Sequence, residues 1–128
     1  MPCTTFGGDY IRVELRSLRI HGVTVIGLDG HLDVAAAHQI KEKLTDLILA
    51  DYVANGCSRI VLDLGAVPYM DSSGLATLIT AMKQTRATGG GLKLCGLQDA
   101  VRSVLEMTGL DTQIEVYADR EAAVLSWP

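Results

Sequence analysis

The chain has 128 residues, a net charge of −4 and a hydrophobic fraction of 48%. A chain of this length and composition forms one domain that can bury its own core, which excludes an intrinsically disordered protein. Lysine and arginine do not cluster, so the sequence lacks the basic stripe that binds nucleic acid or an anionic membrane. No apolar run reaches the roughly 18 residues of a membrane span, and the first residues lack the pattern of a signal peptide, so we expect a cytoplasmic protein.

The N-terminal third of the chain predicts an arm followed by a β-hairpin. Residues 1–9 are polar and contain glycine, which is typical of a flexible arm. Apolar and charged residues alternate over residues 11–15, and the alternation changes phase at Ser17, which suggests a bulge or a strand end there. His21-Gly22 predicts a hairpin turn into a second strand over residues 23–28.

Helices and strands alternate in the rest of the chain. The first helix is predicted to begin after Asp33, a good N-cap, and to end before Asn55-Gly56, a C-cap signal. The remaining predicted elements are a central strand over 60–64, a helix over 75–86, a strand over 92–95, a helix over 98–108, a strand over 114–117 and a last helix capped by Asp119. The order β-β-α-β-α-β-α-β-α predicts an α/β fold with a mixed β-sheet, because hairpins are antiparallel and β-α-β units are parallel.

The cysteines Cys3, Cys57 and Cys95 do not predict a metal site, because their odd number and their spacing fit no ligand pattern. A disulfide framework is not expected in a cytoplasmic domain of this size. Cys95 ends an apolar run and is predicted to be a small buried side chain, whereas Cys57 is predicted in a loop.

The motif Asp71-Ser72-Ser73-Gly74 lies between the central strand and the following helix. Two hydroxyls and a carboxylate at the start of a helix suit a phosphate group, because free N–H groups and the helix dipole favour negative charge there. The motif therefore suggests a phosphorylated serine, although simple helix capping also explains these residue types. The apolar stripe of this helix is predicted at Leu75, Leu78, Ile79 and Met82.

The helical angle alone does not choose between the two serines. Ser73 points away from the predicted stripe and Ser72 falls nearer its flank. If Ser72 is the N-cap, however, its backbone is not helical and the angle does not apply to it.

The sequence argues against catalysis at this motif. A nucleophilic serine needs a base, and only His31, at the end of the second strand, could approach Ser72. The motif also lacks the glycine two residues before the serine of the Gly-x-Ser-x-Gly elbow. Asp63 could be the phospho-accepting aspartate of a receiver domain, but the acidic cluster for Mg²⁺ is missing and Lys93 lies at the wrong end of its strand. We therefore predict no enzyme activity, no metal and no cofactor.

Four segments resemble, in order and spacing, the anti-sigma factor antagonists, or anti-anti-sigma factors, which consist of a single STAS domain. The segments are residues 25–33, 60–64, 67–75 and 107–110. The resemblance implies a STAS-like mixed β-sheet and a STAS domain over residues 10–127, after the flexible arm at 1–9.

The resemblance also implies a phosphorylation switch. In the family, the serine directly after the motif's aspartate is modified, which is Ser72 here, with Ser73 as the second choice. The partner would be an anti-sigma factor with serine kinase activity, which binds the unmodified protein and thereby releases a sigma factor that regulates transcription. A PP2C-type phosphatase would remove the phosphate.

The resemblance places the partner surface on the motif and on the turn after the second strand. The residues of this predicted surface are Asp29, Gly30, His31, Asp33, Met70, Asp71, Ser73 and Gly74. His31 departs from the family, which often has glutamate or another polar residue at that position. Two other roles use the same fold: a scaffold subunit of a stress-signalling complex, and an accessory subunit of a lipid transporter.

Overall fold

The computed structural model describes residues 3–5, by their backbone alone, and residues 14–127. Within these residues, six strands form one sheet in the order β1-β2-β3-β4-β5-β6. The strands are β1 Cys3–Thr5, β2 Glu14–Ile20, β3 Val23–Asp29, β4 Arg59–Ala66, β5 Gly91–Cys95 and β6 Glu115–Tyr117. The pairs β1-β2 and β2-β3 are antiparallel and the other three pairs are parallel, which confirms the predicted mixed α/β sheet.

Helices cover both faces of this sheet. They are α1 Val34–Asn55, α2 Ser72–Ala87, α3 Asp99–Thr108 and α4 Arg120–Leu125, and a 3₁₀ turn spans Leu110–Thr112. The main core joins α1, α2 and α3 to one face of the sheet. A smaller core joins α4 to the other face through Val23, Val25, Val61 and Cys95. The central strand β4 is therefore apolar on nearly every residue because it is covered on both sides.

The N-terminal prediction is corrected in part. Cys3–Thr5, inside the predicted arm of residues 1–9, pair with Glu14–Arg16 as the edge strand β1. Without β1, the outer backbone groups of β2 would have no partner in the sheet. Pairing with Cys3–Thr5 satisfies them. The rest of the predicted arm and the alternation over residues 11–13 lie outside the described residues.

The predicted bulge at Ser17 is wrong. The pairing of β2 with β3 runs without interruption from Glu14 to Ile20. The apolar residues change phase because they change face: Leu15 joins the main core, whereas Leu18 and Ile20 pack against the smaller core on the side of α4. A strand with both faces covered needs no bulge to accommodate such a shift.

The local turn and capping signals are confirmed. His21 and Gly22 have φ values of 51° and 79°, as a two-residue hairpin turn requires. Asp33 caps α1 by accepting hydrogen bonds from two backbone N–H groups, and Gly56 ends it with a φ of 80°. Because β3 and β4 are parallel neighbours, the segments that follow them leave the same edge of the sheet, and α1 and α2 begin side by side.

Candidate functional site at the starts of α1 and α2

The turn after β3 lies directly against the segment that leads into α2. The Leu32 N–H donates to the Tyr69 carbonyl at 3.0 Å, and the Asp71 N–H donates to the Leu32 carbonyl at 3.3 Å. Leu32 and Met70 form an isolated parallel bridge, and both side chains are buried. The structure thus places two parts of the predicted partner surface, more than 30 residues apart in the chain, in contact.

Asp71 is the N-cap of α2, and Ser72 is its first residue. One carboxylate oxygen of Asp71, Oδ1, accepts hydrogen bonds from the Ser73 N–H at 2.9 Å and from the Gly74 N–H at 3.1 Å. The helix therefore starts three residues before the predicted Leu75, and Ser72 is not the cap. Both serines lie on the helix, so the helical angle applies to both.

The structure exposes Ser72 and half-buries Ser73, the reverse of what the helical angle favours. The buried residues of α2 are Gly74, Thr77, Leu78, Ala81, Met82 and Thr85. Only Leu78 and Met82 of the predicted stripe are among them, because much of the buried face consists of small residues. The predicted stripe contains only large apolar residues, so its centre lies farther from Ser73 and nearer to Ser72 than the centre of the buried face does.

Gly74 is required by a close approach and not by its backbone angles. A Cβ atom at this position would lie 2.4 Å from the Leu32 carbonyl oxygen and 2.7 Å from the Met70 Cγ atom. Such distances are well inside van der Waals contact. The glycine of the motif therefore allows the turn after β3 to pack against the first turn of α2.

The Asp71 carboxylate also reaches the other helix. Its second oxygen, Oδ2, accepts a hydrogen bond at 3.1 Å from the N–H of Val34, the first residue of α1. The next two N–H groups of α1 donate to Asp33 Oδ1, at 3.1 and 3.3 Å. Two helix N-termini, each with a positive dipole end, therefore meet at one point, which favours negative charge there.

Exposed apolar and aromatic side chains lie on the segments that meet at Asp71, beside Ser72 in the chain. The rings of His31 and Tyr69 lie 5.9 Å apart between centroids, and the His31 side chain is exposed. The exposed fraction is 47% for Tyr69 and 73% for Val34. We call His31, Val34, Tyr69 and Ser72 together the Ser72 face.

The sequence reasoning missed Val34 and Tyr69. Val34 directly follows the predicted cap Asp33, and Tyr69 lies two residues before the motif. Neither residue belongs to a predicted apolar stripe, and this combination was a usable signal for an exposed binding residue. The residues predicted for the partner surface differ in exposure: Asp29 and His31 are exposed, Gly30, Asp33, Asp71 and Ser73 are partly buried, and Met70 and Gly74 are buried.

Asp63 does not belong to this site. It lies within β4, which continues to Ala66, two residues past the predicted end of this strand at residue 64. Its Oδ2 atom accepts a hydrogen bond from Arg120 Nε at 2.6 Å, and its Oδ1 atom accepts one from the Gly65 N–H at 2.8 Å. Asp63 thus anchors α4 to the sheet.

Catalysis or metal binding at the motif would need particular arrangements of the histidines and acidic residues in the described part of the chain. Within residues 14–127, neither Ser72 nor Ser73 has its hydroxyl hydrogen-bonded to a histidine; His38 pairs with Glu42 at 3.2 Å. The same part of the chain contains no group of three or more His, Cys, Asp or Glu residues that could hold a metal ion. Its helices also include none with the length and hydropathy needed to cross a membrane.

The comparisons with known proteins define the family. The STAS domain model matches residues 15–123, and the chain belongs to the STAS domain family. A relative from Bordetella bronchiseptica, named as the anti-sigma factor antagonist BtrV, is 36% identical over 115 residues, which cover 90% of this chain and 95% of the relative.

Two solved structures share the fold. The first is the crystal structure of an anti-sigma factor antagonist from Thermotoga maritima, which has a TM-score of 0.78 and 23% identity and covers 87% of this chain and 92% of its own. The second is the Bacillus cell fate determinant SpoIIAA in its phosphorylated form, with a TM-score of 0.62 and 26% identity, covering 84% of this chain and 95% of its own.

Proposed function

We propose that this protein is an anti-sigma factor antagonist whose binding is switched by phosphorylation of Ser72. Unmodified, it binds an anti-sigma factor with serine kinase activity in the cytoplasm and so releases a sigma factor. Phosphorylation by that partner ends the binding, and a PP2C-type phosphatase restores it. The named role of the BtrV relative and the phosphorylated form of SpoIIAA support this proposal.

The observation that carries the proposal is the position of Ser72. Its side chain is exposed at the first residue of α2, where a kinase can reach it, whereas Ser73 is half-buried. The first turn of a helix stabilises a phosphate through its dipole and its N–H groups, so the folded protein can accept the modification.

Charge explains how the modification would prevent binding. A phosphate adds about −1.5 to −2 charges, next to Asp71 and on a protein that already carries −4. A partner that matches the neutral hydroxyl and packs on Val34 and Tyr69 would then have to bury an unpaired dianion. Mismatches of this kind cost several kcal/mol, which corresponds to orders of magnitude in affinity. The switch needs no large change of shape.

Phosphorylation of matched serine variants tests the proposal. The wild-type protein, S72A and S73A are incubated with ATP and each candidate serine kinase encoded beside this protein, and the modified residue is mapped by mass spectrometry. We expect S73A to be modified at the wild-type site and S72A to stay unmodified. Modification of S72A at Ser73, or of no variant by any of these kinases, contradicts the assignment of Ser72.

A further inference from the structure

We propose that Asp71 couples the starts of α1 and α2, so that a phosphate on Ser72 also loosens the first residue of α1. The regulatory meaning of this coupling rests on the proposed function. The coupling itself is a property of the chain and can be measured without a partner.

The geometry of Asp71 differs from that of the other caps. Its Oδ1 atom binds the first turn of α2, through Ser73 and Gly74, and its Oδ2 atom binds the Val34 N–H of α1. By contrast, the carboxylates of the caps Asp33 and Asp119 bind N–H groups of their own helices, α1 and α4. Among the caps in the described residues, Asp71 is therefore the one whose side chain joins two helices.

A phosphate on Ser72 competes with Asp71 for the same donors. Phosphate oxygens are strong acceptors, and the N–H groups within reach of the first helical residue are those of the first turn. Asp71 already occupies two of them, at Ser73 and Gly74. The dianion also repels the neighbouring carboxylate. Both effects shift Asp71 from its place and weaken its hydrogen bond to Val34.

The consequence reaches the Ser72 face. Val34 is 73% exposed and is the part of that face contributed by α1. A loosened Val34 makes the apolar part of the surface less well ordered at the moment when the phosphate adds charge to it. Modification of one residue thereby alters the contributions of both helices.

The test measures the solvent exchange rate of the Val34 amide by NMR in the full chain. Phosphoserine is inserted at position 72 during translation, so no kinase is needed. We expect the Val34 amide to exchange about 3- to 10-fold faster in the phosphorylated protein, the factor expected for loss of one hydrogen bond. The negative charge of the phosphate alone would slow base-catalysed exchange. A faster rate therefore reports loss of the hydrogen bond, and a slower rate reports the charge alone. The Ala35 and Ala36 amides, held by Asp33, are internal references and should change little.

Two variants separate coupling from general damage. In D71N the side chain keeps one acceptor oxygen and gains a donor, so it can serve only one helix, and we expect faster exchange at the start of α1 or α2 without phosphate. D33N keeps the single oxygen through which Asp33 caps α1, so we expect little change at the Ala35 and Ala36 amides and none at those of Ser73 and Gly74.

An unchanged Val34 rate in the phosphorylated protein overturns the coupling, even if D71N fails to fold. If the rate rises but no kinase modifies Ser72, the coupling holds and the proposed function fails. The two failures are thus distinguishable.

Discussion

A single hydrogen atom in place of a side chain at Gly74 lets two segments of the site touch. A Cβ atom there would collide with the Leu32 carbonyl and with Met70. We predict that G74A lowers the free energy of unfolding by at least about 2 kcal/mol, although alanine is the better helix former by roughly 1 kcal/mol. Chemical denaturation measures the difference. S72A is the control, because Ser72 is exposed and lies two residues before Gly74 in the same helical turn. It should change stability by less than about 0.5 kcal/mol. A G74A protein as stable as wild type would contradict this packing.

Tyr69 is the aromatic side chain expected to anchor the partner on the Ser72 face. Exposed aromatic residues that become buried in an interface often dominate its affinity. We predict that Y69A weakens binding of the anti-sigma partner by about 10-fold or more. Tyr52 on α1 is a matched control, because its exposed fraction of 45% is close to the 47% of Tyr69. Y52A should bind within about threefold of wild type; equal losses for the two variants would move the partner surface elsewhere.

The thiol of Cys95 makes stability fall at alkaline pH. Burial raises the pKa of Cys95 from 9.0 to about 12, Asp63 adds to the rise and Arg120 opposes it. The thiol is neutral in the folded protein and ionises more readily when unfolded, so its stabilising contribution is complete below pH 9 and is lost as the pH rises towards 12. By pH 10 we predict that wild type loses roughly 1 kcal/mol relative to C95A.

Denaturation at pH 8, 9 and 10 measures this difference between the two proteins. Parallel pH curves for wild type and C95A would show that Cys95 does not ionise on unfolding in this range.

At the scale of elements, α4 packs on the face of the sheet opposite α1, α2 and α3 and forms the smaller core. Its residues Val124 and Leu125 are adjacent in sequence, but their exposed fractions are 4% and 65%. We predict that V124A lowers the free energy of unfolding by about 1–2.5 kcal/mol, because it removes buried methyl groups. L125A should lower it by less than about 0.5 kcal/mol. Equal effects, measured by urea denaturation, would mean that α4 does not seal a core.

Most of the elements could be predicted because their signals are local. The helix ends are marked by capping residues that interact with their own turns, at Asp33, Gly56 and Asp119. Central strands are recognisable from their apolar runs, and the hairpin from His21-Gly22. These features depend on a few neighbouring residues, so the order of elements follows from the sequence.

What could not be predicted depends on contacts between distant segments. The hydrogen bond from Val34 to Asp71 spans 37 residues, and no local pattern encodes it. The phase change at Ser17 has the same origin, because it reflects a second core that forms only when α4 packs on the other face of the sheet. The partial burial of Ser73 also follows from the tertiary packing of α2, whose buried face is built largely of small residues.

At the scale of the whole molecule, the fold brings the starts of two helices together and leaves one serine exposed between them. The parallel pairing of β3 with β4 is the cause, because it sends α1 and α2 off the same edge of the sheet. The protein carries a net charge of −4, so an added phosphate also makes the whole molecule more negative. A general effect of charge must therefore be separated from an effect at the Ser72 face.

Calorimetry tests the switch at Ser72 most directly. It measures the dissociation constant for the anti-sigma partner with the same chain, with and without phosphoserine at position 72. Phosphoserine at Ser103, an exposed residue of α3, adds the same charge on a helix that contributes no residue to the Ser72 face and is the control. We predict that phosphorylation at Ser72 weakens binding by about 100-fold or more and that phosphorylation at Ser103 changes it by less than about threefold. Binding of the Ser72-phosphorylated protein within threefold of the unmodified protein, or equal weakening by the two phosphates, would contradict a switch at Ser72.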